Sequence, residues 1–499
     1  MAGEPGTLQK PTLDKDLAKI ASLEGASGRL SRGLAGQGLA LIFLVTVGSI
    51  AAVVTDGFSG SVFIVAAAVL GGYMALNIGA NDVANNVGPA VGSNAMTMGV
   101  ALVIAAVFES AGALIAGGDV VSTISKGIID PATVATADIF IWVMMSALIS
   151  SALWVNLATW VGAPVSTTHA VVGGVMGAGI AAAGLAAVDW VKMAQIAASW
   201  VISPVLGGLI AAFFLFLIKH FIIYREDKIA AARRWVPLLI AIMAGAFATY
   251  LSLKGVKKVI RIDMQNAVLI GLAAGLLFYL ITRPLIRRQS EGMENRNQSL
   301  RRLFNLPLIF SAALLSFAHG ANDVANAVGP LAAIVHTVEA GSVAAKVAIP
   351  TWVMVIGAFG ISFGLLLFGP KLVRMVGVQI TKLNPMRAYC VALAAAITVI
   401  IASWLGLPVS STHIAVGGVF GVGFFREWYT KNSKRRLQFA GPGAGKPVRR
   451  LPAEEVRYRK LVRRSHFLTI AAAWVVTVPA AAGMSAGMFF ILRTLLADI

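Results

Sequence analysis

Long apolar runs separated by short polar stretches recur along this chain. They fall near 36–56, 61–78, 97–117, 138–161, 166–187, 193–223, 235–252, 265–283, 305–319, 347–369, 387–406, 409–425 and 467–493. Most approach the roughly 20 residues that carry a helix across a bilayer core. Backbone polar groups inside hydrocarbon must be satisfied within the segment, so runs of this length read as helices. The pattern predicts an all-α polytopic membrane protein. Gly, Pro, Asn or Ser interrupts several runs, so some helices are expected to be broken or re-entrant.

Two polar phrases recur among the apolar runs. "GANDVANNVGP" (Gly79 to Pro89) returns as "GANDVANAVGP" (Gly320 to Pro330), ten of eleven residues identical and 241 positions later. "PVSTTHAVVGGVMG" (Pro164 to Gly177) returns as "PVSSTHIAVGGVFG" (Pro408 to Gly421), ten of fourteen identical. The phrases are 85 residues apart in one half and 88 in the other, and "WVISP" at Trp200 is echoed by "WVVTVP" at Trp474. Collinear pairs at matched spacing mean duplication. The chain divides into a cytoplasmic N-terminal tail (1–35), an extra N-terminal span (36–60), repeat one (61–223), a basic linker with two spans (224–304) and repeat two (305–493). The last contains a basic cytoplasmic loop, 426–464. Five segments of a copy and two of the linker make seven crossings. An odd count brings the second copy in from the opposite side, giving two inverted-topology repeats. The count takes each Pro-Val-Ser segment as one full crossing; if both dip in and out, the copies are parallel. Inverted repeats hold a central site at their interface, near the bilayer midplane.

Charge sharpens the picture. The chain is 58% hydrophobic and 13% charged, with mean hydropathy +0.82, which excludes an ordinary soluble domain. Its net charge of +19 does not point to nucleic acid. Of 41 Lys and Arg, 32 lie in the tail and in 225–234, 254–261, 283–302 and 426–464, where they read as cytoplasmic anchors beside anionic lipid. The N-terminus is expected in the cytoplasm, with membrane lipid as a partner. Basic residues at 254–261 fall on the opposite side in this count. Leu13, Leu17, Ile20 and Leu23 are spaced for one face of a short helix resting on the membrane. The first apolar run is long enough to span, which argues against a signal peptide. A single cysteine, Cys390, rules out a disulfide framework or a cysteine metal cluster.

The phrases carry the candidate chemistry. Asp82 and Asp323 lie in apolar surroundings, where a mid-bilayer carboxylate costs at least about 2.5–3.5 kcal/mol. Asn81, Asn85, Asn322 and Asn326 flank them. Asn and Asp compete for backbone groups, so each phrase should mark where a helix breaks or caps. Pro89 and Pro330 are expected to stop the helix from running straight through. Side-chain oxygens and freed carbonyls suit a hard cation such as Na⁺; a buried Asp could instead carry a proton. The second phrase reads as a helix start: Pro, then hydroxyls, then Gly and Val. First-turn N–H groups have no internal partner, so Ser166, Thr167, Thr168 and their counterparts Ser410, Ser411 and Thr412 form an anion site. Two such starts face to face suit a tetrahedral oxyanion. His169 and His413 end the phrase and could relay a proton. His319 has no counterpart, since Ile78 stands in its place, and carries less weight.

These doubled motifs resemble the inorganic phosphate transporter (PiT) family over roughly residues 60–493. The resemblance implies phosphate import coupled to Na⁺ or H⁺, no enzymatic activity and no cofactor. It further implies inverted repeats, often in a homodimer, here expected in a bacterial inner membrane. Asp82, Asn85, Asp323 and Asn326 would help hold cation and phosphate; the six hydroxyl residues would help hold phosphate. Glu109, in "FESAGALIAGG", resembles a family glutamate and joins the coupling-ion set with Asn81 and Asn322. Some relatives carry another glutamate eleven residues before Ser403, where this chain has Ala392. The rivals are a carrier of another tetrahedral oxyanion such as sulfate, a channel or receptor, and an intramembrane hydrolase built on Ser166, His169 and Asp82.

Overall fold

The computed structural model describes residues 34–130, 133–161, 165–254, 262–342, 349–376, 383–433 and 464–496. The amphipathic tail, Pro164, the basic stretch 255–261 and most of loop 426–464 lie outside them. The described residues form helices α1 (Leu34–Val54), α2 (Ser61–Asn81), α3 (Ala84–Gly92), α4 (Met98–Ala116), α5 (Gly118–Lys126) and α6 (Ala137–Val161). α7 (Thr167–Ala183) and α8 (Trp190–Ile218) complete the first half; α9 (Lys228–Lys254), α10 (Met264–Gln289) and α11 (Asn297–Leu303) form the linker. α12 (Asn305–Asp323), α13 (Ala325–Ala340), α14 (Thr351–Met375), α15 (Pro385–Trp404), α16 (Ser411–Asn432) and α17 (Arg464–Leu496) make the second half. Eleven helical stretches among the described residues are long and apolar enough to cross a bilayer, with α2–α3 and α12–α13 each counted as one. Large apolar side chains such as Val201, Leu209, Phe213, Leu269, Leu272 and Leu276 face outward. Such a surface needs lipid, not water, against it.

The two GAND phrases interrupt their helices, but not at proline. The offset lies at Asp82–Val83 and at Val324, where i→i+3 bonds (Asn85 N–H to Asp82 O, 3.0 Å; Ala327 N–H to Val324 O, 3.2 Å) tighten the chain for one turn. Pro89 and Pro330 sit inside α3 and α13, and α13 runs on to Ala340. The expectation that they stop the helix is therefore corrected. Each is the sixth residue of its helix, and what it removes is the N–H that would bond the carbonyl four residues earlier. Those carbonyls belong to Asn85 and Asn326.

Packing exchanges partners between the halves. α2 packs on α14 while α12 packs on α4; α7 packs on α17 while α16 packs on α8. Each contact has a twin in which the copies swap roles. The glycines of "GGVMG" and "GGVFG" explain the second pair. A Cβ on Gly173 or Gly177 would strike the carbonyls of Val478 or Ala482, and one on Gly417 or Gly421 those of Pro204 or Gly208. The backbones touch because no side chain intervenes.

Candidate functional site

Each Pro-Val-Ser phrase begins a helix, as its residues dictate. Ser166 caps α7 by accepting the His169 N–H at 3.2 Å, and Ser410 caps α16 by accepting the His413 N–H at 3.3 Å. The preceding break is held by the first Asn of the GAND phrase in the same half. Asn81 Oδ1 accepts the Val165 N–H (3.3 Å) while its amide donates to Thr159 (2.9 Å). Asn322 Oδ1 accepts the Val409 N–H (3.2 Å) while its amide donates to Ser403 Oγ (3.2 Å) and Leu407 O (3.1 Å). Both asparagines thus spend their amides on opening the neighbouring helix.

The second Asn reaches across to the other half. Asn85 donates to Thr412 Oγ1 at 2.9 Å; Asn326 donates to Thr167 and Thr168, each at 3.1 Å. Thr167 and Thr412 in turn donate to the two oxygens of Asp82, at 2.6 and 3.2 Å. Asp82 therefore collects hydroxyls from both helix starts, and Thr168 donates to Val409 O at 3.0 Å. All of these residues are buried, Asp82 to 2% exposure and Asp323 to 1%. Ligand atoms of Asp82, Asp323 and His319 lie within 4.8 Å of one another. Two carboxylates this close in an apolar surround call for a positive charge between or beside them.

Asp323 does not copy Asp82. Its Oδ2 lies 3.0 Å from His319 Nε2, and His319 Nδ1 lies 2.8 Å from Glu109 Oε2. Asn86 donates to the other Glu109 oxygen at 2.7 Å. Only the doubly protonated ring donates from both nitrogens at once; the neutral ring serves one carboxylate at a time. Among the described residues, Asp323 Oδ1, Asn326 Oδ1 and the Ser411 hydroxyl have no hydrogen-bond partner. His169 and His413 meet edge to face, 4.4 Å between ring centroids, with Trp200 3.9 Å from His169. The Trp200 indole donates to Pro408 O at 3.2 Å.

The structure thus gathers Asp82, Asp323, Asn85, Asn326 and the threonines into one centre, and sets Asn81 and Asn322 behind it. Glu109 joins through His319. Two contributors, His319 and Asn86, were underweighted or passed over in reading the sequence. Their signal was mismatch: Ile78 stands opposite His319, and Ala327 opposite Asn86 is the one difference between the eleven-residue phrases.

Fold and site define an integral membrane protein whose two duplicated halves enclose one buried polar centre. A model of the phosphate transporter family matches residues 78–485. A Helicobacter pylori strain J99 protein named "Putative phosphate permease" is 52% identical over 425 residues, 85% of this chain and 80% of that protein. A Haemophilus influenzae protein of the same name is 34% identical, over 87% of this chain and 98% of its own. A solved structure titled "The sodium-dependent phosphate transporter" superposes with a TM-score of 0.76 at 34% identity, covering 87% of this chain and all of that one. The chain belongs to the phosphate transporter family. Family and relatives are transporters and permeases, not enzymes.

Proposed function

We propose that the protein is a secondary active transporter that imports inorganic phosphate across the plasma membrane, driven by Na⁺. One observation carries this reading: the crossed bonds Asn85–Thr412 and Asn326–Thr167/Thr168, which make each half supply a wall of the centre holding Asp82. Helix starts α7 and α16 present N–H groups and the hydroxyls of Ser166, Ser410 and Ser411 to an oxyanion without adding fixed charge; Thr167 and Thr412 would turn their protons from Asp82, and Thr168 its proton from Val409 O, to join them. Both capping serines accept through oxygen and keep their protons to donate. Asp82 and Asp323 offer hard oxygens to Na⁺, and their charge disfavours sulfate, which lacks the proton that phosphate can donate. The sodium-dependent neighbour supports Na⁺ as the coupling ion. The exchange of packing partners between the copies supports inverted repeats that rock about this centre.

A second reading, H⁺ as the coupling ion, is favoured by His319 standing between Glu109 and Asp323, with His169 and His413 meeting nearby. Uptake of radiolabelled phosphate by proteoliposomes, under an imposed Na⁺ or pH gradient and with excess sulfate, decides between them. Concentrative uptake under the Na⁺ gradient, insensitive to sulfate, is expected. Uptake under the pH gradient alone establishes the second reading; none under either refutes both.

A further inference from the structure

A second polar concavity lies at the far end of α3. It is a cleft of about 760 Å³, lined by Arg301 and Arg302 of α11, Arg387 in the first turn of α15, and the amides of Gln298, Asn305 and Asn94. Among the described residues no carboxylate lines it, and none of the three guanidiniums has an ion-pair partner. Arg387 is half-buried, with the charges of Arg301 and Arg426 bearing on it. Gathering like charges around a cleft costs energy unless an anion shares them. Guanidinium forks match phosphate oxygens in pairs, and a small open cleft focuses their field. The α15 start adds its positive end, with Asn384 accepting the Arg387 N–H at 3.1 Å.

The cleft is tied to the central site by one short element. Asn85 and Asn86 at the start of α3 line the centre; Gly92, its last residue, with Ser93 and Asn94 beyond its end, lines the cleft. The whole helix is nine residues, about 13 Å, long. Asn94 turns the chain there with a left-handed φ of 59°, which Asn tolerates better than most residues.

We propose that this cleft is a second oxyanion site, which holds phosphate on Arg301, Arg302 and Arg387 at the mouth of the path to the central site. This rests on phosphate being the cargo. Its test is equilibrium binding of radiolabelled inorganic phosphate to the full chain in nanodiscs of uncharged lipid, at fixed Na⁺, while choline chloride is raised. Wild type should show two components. One should weaken about tenfold or more between low salt and roughly 0.5 M, as bonds to exposed charges are screened, and the other should change little. Arg301→Gln/Arg302→Gln should lose the salt-sensitive component and keep the other; Asn326→Ala should do the reverse. Arg301→Lys/Arg302→Lys should restore part of the lost component, and thermal unfolding like wild type shows that each variant is folded. A single salt-insensitive component in wild type overturns the second site and leaves the cargo standing. No binding of phosphate at all overturns the cargo reading itself. Loss of the salt-sensitive component on adding phosphatidylglycerol, at unchanged ionic strength, makes a lipid headgroup the occupant and also overturns the proposal.

Discussion

The α4–α12 and α14–α2 contacts are one interface built twice and filled differently. A Cβ on Gly112 would strike the Phe317 carbonyl, and one on Gly364 the Leu76 carbonyl; Gly320 meets the Glu109 carbonyl as Gly79 meets that of Ile361. Between the two, Ser110 donates to Ser362 Oγ at 2.7 Å and Ser362 donates across the halves to Ala106 O at 2.8 Å, with Ala358 O 3.3 Å from Ser110. The backbone match puts Glu109 where its twin has Ile361, and His319 where its twin has Ile78. One interface holds a chain of Asn86, Glu109, His319 and Asp323; the other has Ala327, Ile361 and Ile78 at three of those places and keeps a carboxylate, Asp82, at the fourth. Close packing thus survives duplication, while the Glu109–His319 pair stands on one side only. An apolar interface needs only shape, whereas a buried carboxylate must be paired to be kept.

The largest effect expected is on transport. Asp82→Asn and Asp323→Asn should each cut phosphate uptake by more than about 100-fold, the factor that a few kcal/mol of lost charge pairing implies. Uptake at matched expression measures it, and normal uptake in either variant removes that carboxylate from the site. Next comes a swap that makes the polar interface copy its twin. Glu109→Ile alone should destabilise by about 3–5 kcal/mol, because His319 loses one partner of a buried pair. Adding His319→Ile should recover most of that loss in thermal unfolding, yet leave uptake abolished. A double variant that still transports would make the chain a structural device only. Gly112→Ala and Gly364→Ala should then cost alike, about 1–3 kcal/mol each, since both drive a methyl into a backbone carbonyl. Unequal melting shifts would show that the two interfaces are not packed as twins. Smallest, Ser110→Ala and Ser362→Ala should each lose about 1 kcal/mol, as expected for one hydrogen bond.

Much of this was legible beforehand. Each of the thirteen apolar runs carries a helix, because a bilayer leaves a long apolar segment no other way to satisfy its backbone. Ser166 and Ser410 cap helices as their residue type required. The candidate centre was legible as far as duplication announced it: Asp82, Asp323, Asn85 and Asn326 stand out because they are repeated. His319 and Asn86 were harder to see because they are the positions where the repeats disagree. Proline misled, since a proline six residues into a helix costs one hydrogen bond without ending it. The like chemistry of Asn81 and Asn85 also hid a division of labour, one bracing its own half and the other crossing to the opposite half.

The sequence alone determined the membrane-spanning helices, the duplication and the residue types at the centre, since hydropathy, helix capping and repetition are local properties of a chain. Only the tertiary structure decided that Asn85 meets Thr412, 327 positions away, and that His319 sits between Glu109 and Asp323. Those contacts depend on which helix faces cross, and glycine-lined backbones packing between the halves fix that choice.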